Sequence, residues 1–210
     1  MRLRPLKVPS LLALSATVAL GGCASTEYTE PVTGLTVDEA IYVGQTLLRQ
    51  SIAAGLIVVP QPDSASTTAS VADEVTFTAD CPASGTVQST VAYEGQLNQD
   101  SEAIDLQVAV RQSHDQCRVE GVFAGTSITL SGDPSAQSEG LLSVVAGGAY
   151  ETSGTLLAQV QWLSGAREGT CVIELNYTGS GAGFDQIGVF NLQGIACGIP
   201  VARAVTYQPA

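Results

Sequence analysis

The segment EAIDLQVAVR, residues 102–111, shows most plainly how this chain folds. Its large apolar residues occupy every second position: Ile104, Leu106, Val108 and Val110. Side chains two residues apart lie on the same face of a strand, so this segment has one apolar face and one polar face. That pattern is typical of an antiparallel sheet that buries one face and leaves the other in water.

The same period of two recurs along the chain, in EVTFTADC (74–81), TLLAQVQW (155–162) and CVIELNY (171–177). Turn-forming clusters such as SGDPSAQSEG and GSGAG separate these segments. We therefore expect a mainly β domain over residues 74–210, with about nine or ten antiparallel strands in a meander sheet or a closed barrel. Four of the expected strands span 103–113, 117–124, 127–131 and 141–147.

Before the β region, TVDEAIYVGQTLLRQSIAAG (36–55) carries apolar residues at three- and four-residue spacing. Thr36 and Glu39 fit a capping box, and Gly55 fits a helix stop. This predicts one amphipathic helix near 37–54, within residues 35–59, that covers a face or an end of the sheet. The next segment, PQPDSASTTASVAD (60–73), lacks periodicity and is predicted to be a Pro/Ser/Thr linker.

At the N-terminus, Arg2, Arg4 and Lys7 precede the apolar run LLALSATVAL, and LGGC follows at 20–23. The LGGC segment resembles the lipobox of bacterial lipoprotein signal peptides. The resemblance implies that residues 1–22 are removed, that Cys23 is acylated, for example with palmitate, and that 23–34 form an acylated tether. Alanine at position 24, where a retained lipoprotein has aspartate, implies the outer membrane of the cell envelope. An ordinary secretory signal is the alternative.

Removal of that segment would leave five basic and twenty acidic residues, a net charge of −15. Binding to a nucleic-acid backbone depends on lysine and arginine, so we expect no nucleic-acid partner. The same charge disfavours anionic lipid headgroups, and attachment to the membrane is expected through acyl chains on Cys23.

Four cysteines remain, Cys81, Cys117, Cys171 and Cys197, in a chain predicted to be exported. Two disulfides are the usual outcome in an oxidising compartment. The spacing contains no C-x-x-C pair, which argues against zinc. In a meander all four thiols fall at one end of the sheet, and the favoured pairs are Cys81 with Cys117 and Cys171 with Cys197.

Three segments suggest chemistry or ion binding, and each has a simpler interpretation. His114 beside Asp115 is the sole imidazole, and we expect it to be exposed in a turn. GSGAG (179–183) joins two expected strands rather than opening a helix, so a hairpin turn is favoured over a phosphate loop. NQDSEAID (98–105) lacks EF-hand spacing and reads as a solvated turn rather than a calcium site. No catalytic, cofactor-binding or metal-binding residue is predicted.

The sequence therefore favours a non-enzymatic, lipid-anchored envelope protein with a disulfide-linked β domain that serves as a scaffold or interaction module. The partner of such a module could be a protein or an apolar small molecule. A β-barrel carrier of a small apolar ligand is the alternative, and a carboxylate-dependent hydrolase is a third class.

Overall fold

The computed structural model describes residues 34–57, 68–98, 103–120, 126–145, 147–183, 186 and 188–207. The predicted signal segment, Cys23 and most of the predicted linker lie outside these residues. One helix, α1 (Val37–Ile57), precedes eight strands. The strands are β1 (Thr68–Asp80), β2 (Ser84–Asn98), β3 (Ala103–Glu120), β4 (Ser127–Val144), β5 (Tyr150–Ser164), β6 (Arg167–Gly181), β7 (Gly188–Ala196) and β8 (Ile199–Tyr207).

All eight strands form one antiparallel sheet in the order β1 to β8, so the prediction of a mainly β meander is confirmed. The prediction that the sheet might close into a barrel is wrong, because β1 and β8 are its two edges. The helix α1 packs on one face, which we call the inner face, where it contacts β2, β3, β4, β6, β7 and β8. The apolar side of the sheet is thus buried against a helix. We call the opposite, solvated side the outer face.

The sheet has eight strands, not nine or ten, because two pairs of expected strands are continuous. Expected strands 103–113 and 117–124 merge into β3, and 127–131 and 141–147 merge into β4. Ladder pairing shifts in β3 around His114 and in β4 between Ser131 and Ala136, at neighbouring positions. The polar, Gly- and Pro-containing segments that suggest turns are therefore β-bulges, which insert extra residues and bend both strands together.

The predicted helix forms and its capping box is confirmed. The backbone N–H of Thr36 donates to Glu39 Oε2 at 2.9 Å, and the N–H of Glu39 donates to Thr36 Oγ1 at 3.3 Å. The predicted stop at Gly55 is wrong, since α1 continues to Ile57. Gly55 is buried, and a Cβ atom there would lie 3.4 Å from Val108. Gly55 therefore packs against β3 within the helix rather than ending the helix in a turn.

The first strand begins at Thr68, earlier than the expected start at Glu74, so the end of the predicted linker is strand. Residues 70–74 are at least partly exposed on both sides of β1. An edge strand of this kind has little apolar alternation, which is why periodicity does not reveal it.

The β6–β7 turn begins later than expected, because β6 runs through Gly181. Of the glycines of GSGAG, it is Gly183 that lies in the turn, where its carbonyl oxygen accepts from the N–H of Gln186. Gly179 lies opposite Phe190, and its missing Cβ leaves room for that ring. Gly181 stands in the same relation to Tyr150, and Gly169 to Trp162. Inner-face aromatic rings of β5 and β7 therefore lie over cross-strand glycines of β6.

Both disulfides join the expected pairs, Cys81 with Cys117 and Cys171 with Cys197. Cys81 follows β1, and its N–H donates to Gly85 O, while the N–H of Ala83 donates to Arg118 O, so the β1–β2 turn folds over the end of β2 toward β3. Because 103–113 and 117–124 form the single strand β3, β2 alone lies between β1, which Cys81 follows, and β3, which contains Cys117. Within the described parts of the chain, no helix combines the length and apolarity that crossing a bilayer requires.

Candidate functional site

The most chemically suggestive group of side chains lies between α1 and the bulged part of β3 and β4. Six polar residues meet there, and we call them the polar cluster: Gln50, Ser51, Ser89, Gln112, His114 and Ser135. The bulges place them, since His114 pairs with Gly132 across a break in the ladder and Ser135 comes from the bulge of β4. Five of the six are buried, and Gln50 is partly buried.

Hydrogen bonds connect the cluster from the helix to three strands. Ser51 Oγ donates to Gln112 Oε1 at 3.0 Å, and Gln112 Nε2 donates to Ser89 Oγ at 3.2 Å. Ser135 Oγ lies 2.5 Å from His114 Nδ1 and 2.9 Å from the carbonyl oxygen of Gln112. His114 Nε2 lies 2.8 Å from Gln50 Oε1. Polar groups at this depth are stable because each finds a partner.

The expectation that His114 is an exposed turn residue is wrong. Its exposed fraction is 4%, and it lies within β3. Burial lowers the pKa of His114 to about 4, so the ring is neutral at pH 7. Ser135 Oγ donates its one hydrogen to the carbonyl oxygen of Gln112, so both His114 nitrogens face oxygen acceptors, Ser135 Oγ at Nδ1 and Gln50 Oε1 at Nε2. The neutral ring carries one proton and donates to one of the two acceptors, whereas the protonated ring donates to both.

A histidine beside a serine hydroxyl is also the pairing that activates a nucleophile. The surroundings of this pair differ from those of such a site, since Ser135 is 1% exposed and the helix covers the imidazole. The His114 hydrogen bonds to Gln50 and Ser135 join α1 to the sheet, and the His114 ring can take up a proton at acidic pH.

A second polar contact fixes the start of the helix. Arg167, at the beginning of β6, donates to Glu39 Oε1 at 2.6 Å and Oε2 at 3.2 Å, and to the carbonyl oxygen of Gly34 at 3.0 Å. The Arg167 hydrogen bond, together with those from Thr36, lowers the pKa of Glu39 to about 2. A bidentate arginine–carboxylate pair of this kind holds both partners in a defined geometry.

Of the other residues predicted from the sequence as sites, the disulfide between Cys81 and Cys117 is the one that lies next to the polar cluster. Gln50 Nε2 lies 3.7 Å from Cys117 Sγ, so the Cys81–Cys117 bond borders the cluster. Among the described residues, no three histidine, cysteine or acidic side chains are grouped as metal ligands. The predicted lipidation site, Cys23, lies outside the described residues.

The outer face carries the other notable feature, a concentration of exposed apolar side chains on β4 to β7. Six of them point outward there: Leu141, Leu157, Leu163, Val172, Val189 and Ile195. Their exposed fractions run from 45% to 59%. Among the described side chains of β1, β2 and β3, no large apolar residue is similarly exposed.

Sequence reasoning missed the polar cluster but contained two signals for it. Ser51 lies beside Ile52 on the side of α1 that packs on the sheet, where apolar residues dominate. His114 falls between two expected strands, and a bulge rather than a turn at that point directs it inward. A polar residue on an apolar helix face requires a polar partner on the facing sheet.

The chain gives no match in comparisons with protein-family models, with curated proteins or with solved structures.

Proposed function

We propose that this chain is a lipid-anchored protein of the bacterial envelope, held at the outer membrane, whose β domain acts by contact with another molecule. One observation carries the proposal: the exposed apolar side chains gather on the outer face of β4 to β7. Exposed apolar side chains grouped on one solvated face, as Leu157, Val172 and Ile195 are, are typical of an interaction site.

The interior supports a contact role rather than cargo transport. The helix α1 occupies the inner face, where a barrel would hold its ligand. The cavity beside Gly55, between α1 and strands β3 to β6, measures about 30 Å³. That volume suits a single water, whereas sites for small ligands measure roughly 300 to 1,000 Å³.

The anchor is proposed from the lipobox resemblance, and two buried disulfides fit an oxidising compartment outside the cytoplasm. Acyl chains on Cys23 would hold the domain near the bilayer. The helix α1 is not available for that role, because its buried side packs against the sheet.

The test compares detergent partitioning and intact mass of the wild type with those of Cys23→Ser, expressed in a bacterium with two membranes. We expect the variant to lose its acyl mass and to move to the aqueous phase. The double variant Cys171→Ala, Cys197→Ala is the control and should still partition with detergent. A Cys23→Ser protein that stays in the detergent phase would overturn the anchor.

A further inference from the structure

On the outer face of β4 to β7, the exposed apolar side chains are accompanied by charged side chains that are all acidic. The charged side chains that point outward along these ladders are Glu139, Glu151, Glu168 and Glu174. Within these strands, all of which the structure describes, the one basic residue is Arg167, and it turns toward Glu39 at the start of α1. The other half of this face carries charges of both signs, since Arg111 and Arg118 in β3 are exposed there together with Asp105 and Glu120.

The acidic and apolar side chains interleave. Leu157 pairs with Glu174, and Glu174 pairs with Ile195, so one carboxylate stands between two apolar residues in a single row across the sheet. Strands are about 4.8 Å apart, which places Leu157 and Ile195 roughly 10 Å from each other. Val172 adjoins the row because it is two residues from Glu174 on the same face.

A groove lies farther along the same face, separated from this row by the row of Thr155, Asn176 and Gln193. It measures about 440 Å³ and runs between Leu141 and Val189, with Glu151 at its border. Small polar side chains line it, among them Ser153, Thr178 and Asn191. Apolar ridges, carboxylates and a floor of small residues together form a surface into which long side chains of a partner can reach.

We propose that the outer face of β4 to β7 binds a basic segment of another protein, one whose lysine or arginine side chains alternate with apolar ones. This rests on the proposed contact function and names its surface and the chemistry of its partner. Opposite charge attracts and orients such a segment, while its apolar side chains cover Leu157, Val172 and Ile195.

Charge argues against two other occupants. A second copy of this chain would bring its own glutamates against these, because equivalent surfaces meet in a symmetric dimer. An anionic lipid headgroup would meet the same repulsion. A cationic protein segment is the occupant that both the charge and the apolar residues favour.

The test uses the full mature protein in detergent and a short synthetic peptide of alternating lysine and valine, with a glutamate–valine peptide as its counterpart. Binding is followed by fluorescence anisotropy, and hydrogen exchange locates the contact. We expect the lysine peptide to protect β4 to β7 and to bind more weakly as salt increases. The double variant Glu151→Gln, Glu174→Gln should weaken binding about fivefold.

The matched control is Glu74→Gln, Glu94→Gln, which removes the same charge from the outer face of β1 and β2, where both residues are exposed. It should change the affinity by less than about twofold. Equal weakening by the two double variants would show attraction to net charge only and would overturn the proposal. Protection from hydrogen exchange outside β4 to β7, or no binding of the lysine peptide, would also overturn it. Each of these outcomes leaves the Cys23→Ser result unaffected, so a failure here is separable from a failure of the anchor.

Discussion

His114 is the one histidine of the chain, and its burial keeps the ring neutral between pH 7 and pH 5, where the imidazole of the unfolded chain takes up a proton. Its pKa is lowered to about 4 in the folded protein, against 6.5 for the ordinary group. The unfolded chain therefore binds the proton more readily. The stability due to neutral His114 is complete above pH 6.5 and is lost as the pH falls toward 4.

We predict that the free energy of unfolding of the wild type falls by about 2 kcal/mol between pH 7 and pH 5. The variant His114→Gln keeps an amide for Gln50 and Ser135 but carries no titratable ring, so its stability should be nearly constant over that range. Urea unfolding at both pH values measures the difference. The same decrease in the variant would contradict the assignment to His114.

Glu39 titrates in a lower window, because Arg167 and Thr36 hold its pKa at about 2 against an ordinary value of 4.5. Its contribution is present above pH 4.5 and is lost as the pH falls toward 2. We predict that Glu39→Gln lowers the free energy of unfolding at pH 7 by about 2 kcal/mol, because it breaks a hydrogen-bonded charge pair.

The control for this prediction is Asp38→Asn, in the same helical turn but exposed. It should cost less than about 1 kcal/mol, which is the weight of a helix-dipole interaction alone. Urea unfolding at pH 7 compares the two variants, and equal losses would mean that the Glu39–Arg167 pair adds nothing.

At the residue scale, sequence predicts local contacts well and long-range ones poorly. The Thr36–Glu39 capping box is a pattern of fixed spacing, and the structure forms it. The His114–Gln50 contact joins residues 64 positions apart, and no local pattern encodes it. The sequence predicts an exposed turn at His114, but the residue lies in a β-bulge that directs its side chain to the buried inner face.

Among the strands, inner-face aromatic rings pack over cross-strand glycines, where an added side chain would collide with the ring. Gly179, opposite Phe190, is such a site. A Cβ at position 179 would enter the space of the ring, so Gly179→Ala should lower the free energy of unfolding by roughly 1 to 3 kcal/mol.

The cause can be isolated with a double-mutant cycle. Phe190→Leu makes room at the site, so Gly179→Ala should cost less in the Phe190→Leu background than in the wild type. Thermal or urea unfolding of the four proteins supplies the coupling. Strictly additive losses would mean that the ring does not cause the effect, and Ser180→Ala, on the outer face next to Gly179, should be nearly neutral.

The elements predicted correctly are those with regular periodicity, such as β3 over residues 103–113 and α1. The errors fall where polar residues break that periodicity. Residues 132–135 read as a turn because glycine, aspartate and proline favour turns, yet they form the bulge of one continuous strand. A local pattern does not distinguish the two, since the pairing of β4 with β3 and β5 decides the outcome.

In the whole molecule, two disulfides lie at one end of an open sheet. One joins the end of β1 to β3, and the other joins β6 to the turn between β7 and β8. Cys81 follows the edge strand β1, and Cys197 precedes the edge strand β8. Edge strands are the parts of a sheet that open most easily, so covalent links near them stabilise the whole.

We predict that replacing Cys171 and Cys197 together by alanine lowers the free energy of unfolding by up to about 3.5 kcal/mol, from the entropy of closing a loop of 26 residues. Urea unfolding of the double variant tests this, with hydrogen exchange to show where the sheet opens. We expect faster exchange in β7 and β8 than in β3. Unchanged stability would contradict a structural role for this bond.

We propose that the domain works through the outer face of β4 to β7. The most direct measurement is photo-crosslinking in intact cells, with a benzophenone amino acid placed at Leu157 in the proposed surface or at Gln96 on the outer face of β2. Both side chains are exposed, so the probe reaches solvent at either site. We predict a specific protein adduct from position 157 that decreases in the Glu151→Gln, Glu174→Gln background, and little adduct from position 96. Equal adducts from the two positions, or none from position 157, would contradict the account.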